Sequence, residues 1–286
     1  MSTTDNHEQR SARILTVDDD PTFRQIVLAL LRSEGYTVRE ASDGLTAIKL
    51  LQQESFDLVL LDLGLPGAGG LEVLAGAASW KSQPKVIVVS GDTTGPAILG
   101  SVRGQAYHYL AKPVNTVTLA NVIQDALAAP AAMPLEVLSA REDWVELLVP
   151  CEASAPERVQ SFLRYLEGDL PKATRESVGR AFCELLMNAI EWGGELDPRR
   201  RVRISFLKTV RFLMYRISDP GAGFQPEQLH HAAVTNESDE PFGHMSEREA
   251  QGLRPGGFGL LMAGQLVDEL VFNEAHNEVV LIKYLN

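Results

Sequence analysis

At 286 residues the chain exceeds the commonest domain size of ~100–150 residues, so two domains with separate cores are expected. A formal charge of −12, with acid outnumbering base in both halves, argues against a nucleic-acid-binding output. A content of 45% hydrophobic and 22% charged residues excludes a disordered or low-complexity chain. Two cysteines, Cys151 and Cys183, are too few for a disulfide framework, and no apolar run approaches the ~20 residues of a membrane span. The first twelve residues are polar, so a reduced, cytoplasmic protein without signal peptide or membrane anchor is expected.

Residues 1–12 read as a loose tail. From Arg13 to Ala128, short β-branched runs alternate with helical patterns, which predicts a doubly wound α/β domain on a five-stranded parallel sheet. Its strands are expected at Arg13–Val17, Thr37–Ala41, Asp57–Leu61, Lys85–Val89 and His108–Leu110. In the first helix Asp20 caps, Pro21 takes the first position, and Phe23, Ile26, Val27, Leu30 and Leu31 form the buried stripe. Leu119, Val122, Ile123, Ala126 and Leu127 repeat that spacing in a last helix. The two prolines of Ala128-Ala-Pro-Ala-Ala-Met-Pro134 then place a linker at 129–135. Residues 136–286 read as an α+β sandwich, with helices on one face of a mixed sheet. Its elements are a strand Asp143–Val149, helices Pro156–Leu166 and Thr174–Trp192, strands Val202–Leu207 and Leu213–Ser218, a long polar loop, a helix Gly259–Val267 and a hairpin, Glu269–Asn273 with Val279–Tyr284. On the long helix Phe182, Leu185, Leu186, Ala189 and Ile190 form the apolar stripe, while Glu184, Asn188 and Glu191 share another face.

In the first half, Asp18-Asp19 ends the first strand, Asp62 the third and Ser90 the fourth, and Lys112 follows the fifth. Carboxyl ends of parallel strands share one edge, so these residues converge there. Three carboxylates that close repel one another, and a hard divalent cation such as Mg²⁺ resolves the repulsion. Asp62 then serves as a nucleophile for a phosphoryl group, whose oxygens the Lys112 ammonium and the Ser90 hydroxyl can meet. Order and spacing in Val17-Asp-Asp-Asp-Pro21, Asp62-Leu-Gly-Leu-Pro-Gly-Ala-Gly-Gly70, Val89-Ser90 and Tyr109-Leu-Ala-Lys-Pro113 resemble the response-regulator receiver family over about 115 residues. The resemblance implies that Asp62 is the phospho-acceptor, that Asp18, Asp19, Asp62 and the Gly64 carbonyl ligate the metal, and that Tyr109 is the aromatic switch residue. Gly64 departs from the family, where a larger side chain is common.

In the second half, Asp219-Pro-Gly-Ala-Gly223 follows a strand, and Gly256-Gly-Phe-Gly259 opens a helix whose unpaired N–H groups suit phosphate. No Gly-Lys-Ser/Thr follows either cluster, which disfavours a P-loop. Asn188 offers a neutral oxygen to Mg²⁺, and Glu184, one turn earlier, a general base. The stretches Glu184-Leu-Leu-Met-Asn-Ala-Ile-Glu191, Asp219-Pro-Gly-Ala-Gly-Phe224, Gly257-Phe-Gly-Leu-Leu261 and Leu266-Val-Asp-Glu-Leu270 resemble the GHKL or Bergerat ATPase fold, most closely its anti-sigma-factor serine kinase branch. That resemblance implies ATP as ligand, Asp219 on the adenine amino group, Gly221 and Gly223 shaping its pocket, Gly257 and Gly259 by the phosphates, Asn188 on Mg²⁺, and residues 225–255 as a lid. Arg248 or Arg254 in that stretch could reach the γ-phosphate, although a lone arginine in a polar loop is more often solvated. Trp192, where histidine is frequent, and the length of the lid are departures.

No histidine lies between the two motif sets, the six being His7, His108, His230, His231, His244 and His276, so histidine autophosphorylation is not expected. Two outputs stay open. One is an ATP-dependent serine/threonine kinase acting on a protein that resembles an anti-sigma-factor antagonist. The other is a non-catalytic ATP-binding module that sequesters a sigma factor or antagonist. An upstream histidine kinase or phosphotransfer protein is the expected phosphodonor, and the oligomeric state, a homodimer included, is undetermined. Arg199, Arg200, Arg201 and Arg203 form either a basic contact for a partner or a solvated turn.

Overall fold

The computed structural model describes residues 11–130, 133–223 and 259–285. They divide into two compact units, one formed by residues 11–93 and 104–130, the other by 94–103, 133–223 and 259–285.

The first sheet has the order β2-β1-β3-β4-β5, with every neighbouring pair parallel. Its strands are β1 (Arg13–Val17), β2 (Thr37–Ala41), β3 (Leu58–Leu61), β4 (Lys85–Ser90) and β5 (His108–Ala111). The chain winds outward in both directions from β1 and β3, which leaves a crevice at the carboxyl ends where the winding reverses. Helices α1 (Pro21–Ser33), α2 (Gly44–Gln53), α3 (Gly70–Ala75), α4 (Gly95–Arg103) and α5 (Thr116–Ala128) connect the strands. The α1 start follows from local chemistry, since Asp20 accepts from the Thr22 and Phe23 amides and Pro21 has no amide to satisfy. Its buried stripe differs from the expected one. Ile26 is 50% exposed, and Val27, Leu28 and Leu31 are the residues turned inward. In α5, Leu119, Ile123 and Ala126 are buried, with Val122 and Leu127 half-buried beside them.

The second sheet runs β10-β11-β9-β8-β7-β6, and every pair in it is antiparallel, not mixed as expected. Its elements are β6 (Glu136–Ala140), β7 (Trp144–Pro150), α6 (Ala155–Leu166), α7 (Lys172–Asn188), β8 (Arg201–Lys208), β9 (Phe212–Ser218), α8 (Gly259–Leu266), β10 (Glu269–Phe272) and β11 (Glu278–Tyr284). Alternate residues of β7 (Val145, Leu147, Val149) and β9 (Leu213, Tyr215, Ile217) are buried, the period-two pattern of a sheet covered on one face. Helix α7 lies on β9 and β11 and is flanked by α6 and α8. Its whole expected stripe is buried, and Phe182 meets Tyr215 at 4.6 Å between ring centroids, while Phe206 adds a second ring at 5.2 Å from Tyr215.

The long helix does not stay α-helical to Trp192. After Asn188 it widens into a π turn, Ala189–Gly193, so Glu191 does not follow the α-helical spacing of Glu184 and Asn188. Both cysteines are free thiols, with Cys151 buried and Cys183 pushed up to about 12 by burial. Among the described residues no helix is long and apolar enough to cross a membrane.

Candidate functional site

At the carboxyl edge of the parallel sheet, backbone register places the expected residues side by side. The Asp62 amide donates to the Val17 carbonyl (2.9 Å) and the Lys112 amide to the Ser90 carbonyl (2.9 Å), so the residues after β1, β3, β4 and β5 stand level. Asp18, Asp19 and Asp62 each offer a carboxylate oxygen, and these oxygens lie within 4.8 Å of one another. The Lys112 ammonium bridges Asp18 Oδ2 (2.7 Å) and Asp62 Oδ2 (2.6 Å), with its charge 4.6 Å from the Phe23 ring centroid. Three carboxylates against one ammonium leave a net negative cluster, which fits a divalent cation on oxygen ligands. Gly64 sits beside it, its amide donating to Asp62 Oδ1 (3.2 Å).

The two buried acids titrate in opposite directions. Burial raises the Asp18 pKa and outweighs its bond to Lys112. For Asp62 burial acts upward too, but hydrogen bonds from Lys112, Ser90 and the Gly64 amide prevail and hold it below the ordinary carboxylate value. Asp62 thus gives up its proton more readily than Asp18 does. Ser90 and Tyr109 share one turn, because the Ser90 hydroxyl accepts from the Asp92 amide (3.3 Å) and the fully buried Tyr109 hydroxyl donates to the Asp92 carbonyl.

In the second unit, Glu184 and Asn188 stand one turn apart on α7, facing the first residue of α8. A Cβ on Gly259 would sit 2.8 Å from Glu184 Oε2 and 3.6 Å from Asn188 Nδ2, so the absence of a side chain at Gly259 leaves room between the two helices at both polar groups. Asp219 follows β9 directly. Its Oδ1 accepts from the Gly221 amide (2.8 Å), and burial pushes its carboxyl pKa up against that bond and the Arg200 charge. Gly193, from the π turn after Asn188, lies so close that a Cβ there would overlap the Asp219 carboxylate. The turn therefore joins the Asn188 and Asp219 groups. Gly257, Phe224, Arg248, Arg254 and the expected lid fall outside the described residues, as do His7, His230, His231 and His244.

Sequence reasoning missed three neighbours of Asp219: Gly193, Arg200 and Asn277. Arg200 donates to the Pro220 carbonyl (3.1 Å), and Asn277 donates from its side chain to the Gly221 carbonyl (3.0 Å). Gly193-Gly194 after the long helix was the available signal for the first, and nothing in the spacing marks the others. The basic run is held by local partners as it enters β8: Arg199, Arg200 and Arg203 pair with Asp197 (2.8 Å), Glu195 (2.6 Å) and Glu146 (2.8 Å), and Arg201 donates to the Pro198 carbonyl.

Residues 14–124 match the family model of the response regulator receiver domain, and residues 152–283 that of the histidine kinase-like ATPase domain. The DNA-binding response regulator MtrA of Mycolicibacterium smegmatis is 32% identical over 181 residues, 63% of this chain and 78% of that protein. Protein PilH of Pseudomonas aeruginosa is 37% identical over 120 residues, 41% of this chain and 98% of that one. The crystal structure of a CheY-like receiver domain protein from Methanospirillum hungatei JF-1 covers 41% of this chain and 94% of its own at 32% identity, with a TM-score of 0.40. With the acidic cluster and Lys112 on the edge of a 2-1-3-4-5 sheet, this chain belongs to the two-component response regulators, its receiver domain joined in one polypeptide to a histidine kinase-like ATPase domain.

Proposed function

We propose that phosphorylation of Asp62 in a receiver domain spanning 13–128 controls an ATP-dependent protein serine/threonine kinase in residues 136–286, similar to the anti-sigma-factor kinases. The observation that carries the first half is the Lys112 bridge between Asp18 and Asp62, which together with Ser90 and the Gly64 amide holds the Asp62 carboxyl below the ordinary carboxylate value. Asp62 attacks the phosphorus of an upstream histidine kinase or phosphotransfer protein, the P–N bond to the donor's histidine breaks, and an acyl phosphate forms. Lys112 and the Ser90 hydroxyl meet the transferred oxygens. Asp18, Asp19, Asp62 and the Gly64 carbonyl would hold Mg²⁺, which when bound neutralises phosphoryl charge.

For the output, support comes from Glu184, Asn188 and Gly259 converging on one space, with Asp219 reached through the π turn. Asp219 would accept from the adenine amino group, Gly221 leaves room for the base, Gly257 and Gly259 would line the phosphates, and Asn188 would hold Mg²⁺ with the triphosphate. Glu184 takes the proton from a serine or threonine hydroxyl of the partner as that oxygen bonds to the γ-phosphorus and ADP leaves. The partner is expected to resemble an anti-sigma-factor antagonist.

The test is to incubate the full chain with Mg²⁺ and acetyl phosphate, and separately with labelled ATP and candidate partner proteins. One base-labile phosphoryl group that Asp62→Asn abolishes, together with label on a partner serine or threonine, is the expected result. Equal labelling of Asp62→Asn contradicts the acceptor. ATP that binds without transfer to any partner replaces the kinase with a nucleotide-ordered module that sequesters a sigma factor or antagonist.

A further inference from the structure

The loop that carries Asp219 has little packing of its own. Pro220, Ala222 and Gly223 are exposed and Gly221 is half-buried, so the carboxylate depends on groups that arrive from elsewhere. They arrive from the β10–β11 turn. The Asp219 amide donates to the Asn277 carbonyl (2.9 Å), and the Asn277 side-chain amide donates to the Gly221 carbonyl (3.0 Å), so one residue grips the loop on both sides of Pro220. Gly223 closes against the same turn: its φ is +84°, and a Cβ there would overlap the Ala275 carbonyl oxygen.

The orientation of the Asn277 amide is dictated by a chain of bonds. Asn273 Oδ1 accepts from the Asn277 and Glu278 amides (3.1 Å each), which turns Asn273 Nδ2 toward Asn277 Oδ1 (2.8 Å). An oxygen already accepting there leaves the Asn277 NH₂ as the group that faces Gly221. The turn is itself fixed by the His276 amide on the Asn273 carbonyl (3.1 Å).

We propose that Asn277 is a positioning residue for base recognition, holding the Asp219–Gly223 loop so that the Asp219 carboxylate meets the amino group of adenine. This rests on the reading of Asp219 as the adenine acceptor. Asn277 touches no nucleotide and acts through the loop, so it governs discrimination between bases, not the hold on the triphosphate. Its substitution shifts the carboxylate that reads the 6-amino group and leaves Glu184, Asn188 and Gly259 untouched.

The experiment is a titration of the full chain with Mg-ATP and with Mg-inosine triphosphate, which carries an oxygen in place of that amino group. Parent, Asp219→Asn, Asn277→Ala and Asn277→Asp are compared, with a thermal midpoint for each. Asn277→Asp keeps the oxygen that accepts from Asn273 and replaces the donor to Gly221 with a charged acceptor of the same shape, so together with its thermal midpoint it guards against loss of fold in the alanine variant. The parent is expected to prefer ATP, and Asp219→Asn to lose the preference. Both Asn277 variants should weaken ATP by about five- to tenfold, the scale of one lost hydrogen bond, with inosine triphosphate changed by less than about twofold. An unchanged ratio in both Asn277 variants, or equal weakening of both nucleotides, overturns the positioning role while Asp219 stands. If Asp219→Asn retains the parent's preference, or the parent has none, the reading of Asp219 falls and takes the positioning role with it.

Discussion

Glu167 has no exposed surface, accepts a hydrogen bond from the Tyr215 hydroxyl, and has its second oxygen buried without a hydrogen-bond partner. Burial raises its pKa from 4.5 to about 7, against the Tyr215 bond and the charges of Arg175 and Lys208, with Asp169 adding to the rise. The folded protein therefore keeps a proton that the unfolded chain releases above pH 4.5. Stability is present in full below that pH, falls as pH rises toward 7, and stays lower above it, by about 3 kcal/mol at most. Glu167→Gln keeps an oxygen for Tyr215 and cannot ionise, so its urea midpoint should be flat between pH 4.5 and 7 and exceed the parent's at pH 8. A parent midpoint that is level over that window would show Glu167 to be ionised in the fold. Glu167 was not legible as special, because a glutamate after a helix reads as a solvated end until the sheet closes over it. Asp18, Asp62, Ser90 and Lys112 were legible for the converse reason: parallel strands carry whatever follows their carboxyl ends to one edge.

At the scale of the element, ten of the strands were readable and the edge strand β6 was not. β6 has the burial of an exposed edge, with Leu138 42% exposed, and its Glu-Val-Leu-Ser-Ala carries no period to detect. The π turn at Ala189–Gly193 was equally hidden, since its apolar stripe through Ala189 and Ile190 continues the helical spacing while the backbone hydrogen bonds change. Glu191 lies in that turn and not on the α-helical spacing, so the chemistry is assigned to Glu184 and Asn188. Asn188→Ala should remove Mg²⁺-dependent ATP binding, as a ground-state ligand does. Glu184→Gln should leave the ATP affinity within about threefold of the parent and lower transfer to the partner by about 10²-fold or more. Equal loss of binding in both variants would make Glu184 a structural residue. The packing of Gly259 against both side chains has a separate consequence. Gly259→Ala should weaken ATP binding while the receiver's labelling by acetyl phosphate stays at the parent level.

On the scale of the whole molecule, each sheet belongs to its own unit with its own candidate site, and one polypeptide joins them. A receiver without effect on its output would make the fusion idle, so the two sites are expected to be linked. Linkage is reciprocal: a phosphoryl group on Asp62 that alters nucleotide affinity is matched by nucleotide that alters receiver affinity by the same factor. The Ser90–Asp92–Tyr109 turn, which ties the hydroxyl beside Asp62 to a buried ring, is where such a change is expected to begin. The measurement that bears most directly on this is the Kd for Mg-ATP of the full chain, with and without beryllofluoride as the phosphoryl analogue, in the parent and in Asp62→Asn. A shift of about fivefold or more is expected in the parent and none in the variant. The same Kd in the parent with and without the analogue would contradict control of the ATPase domain by Asp62.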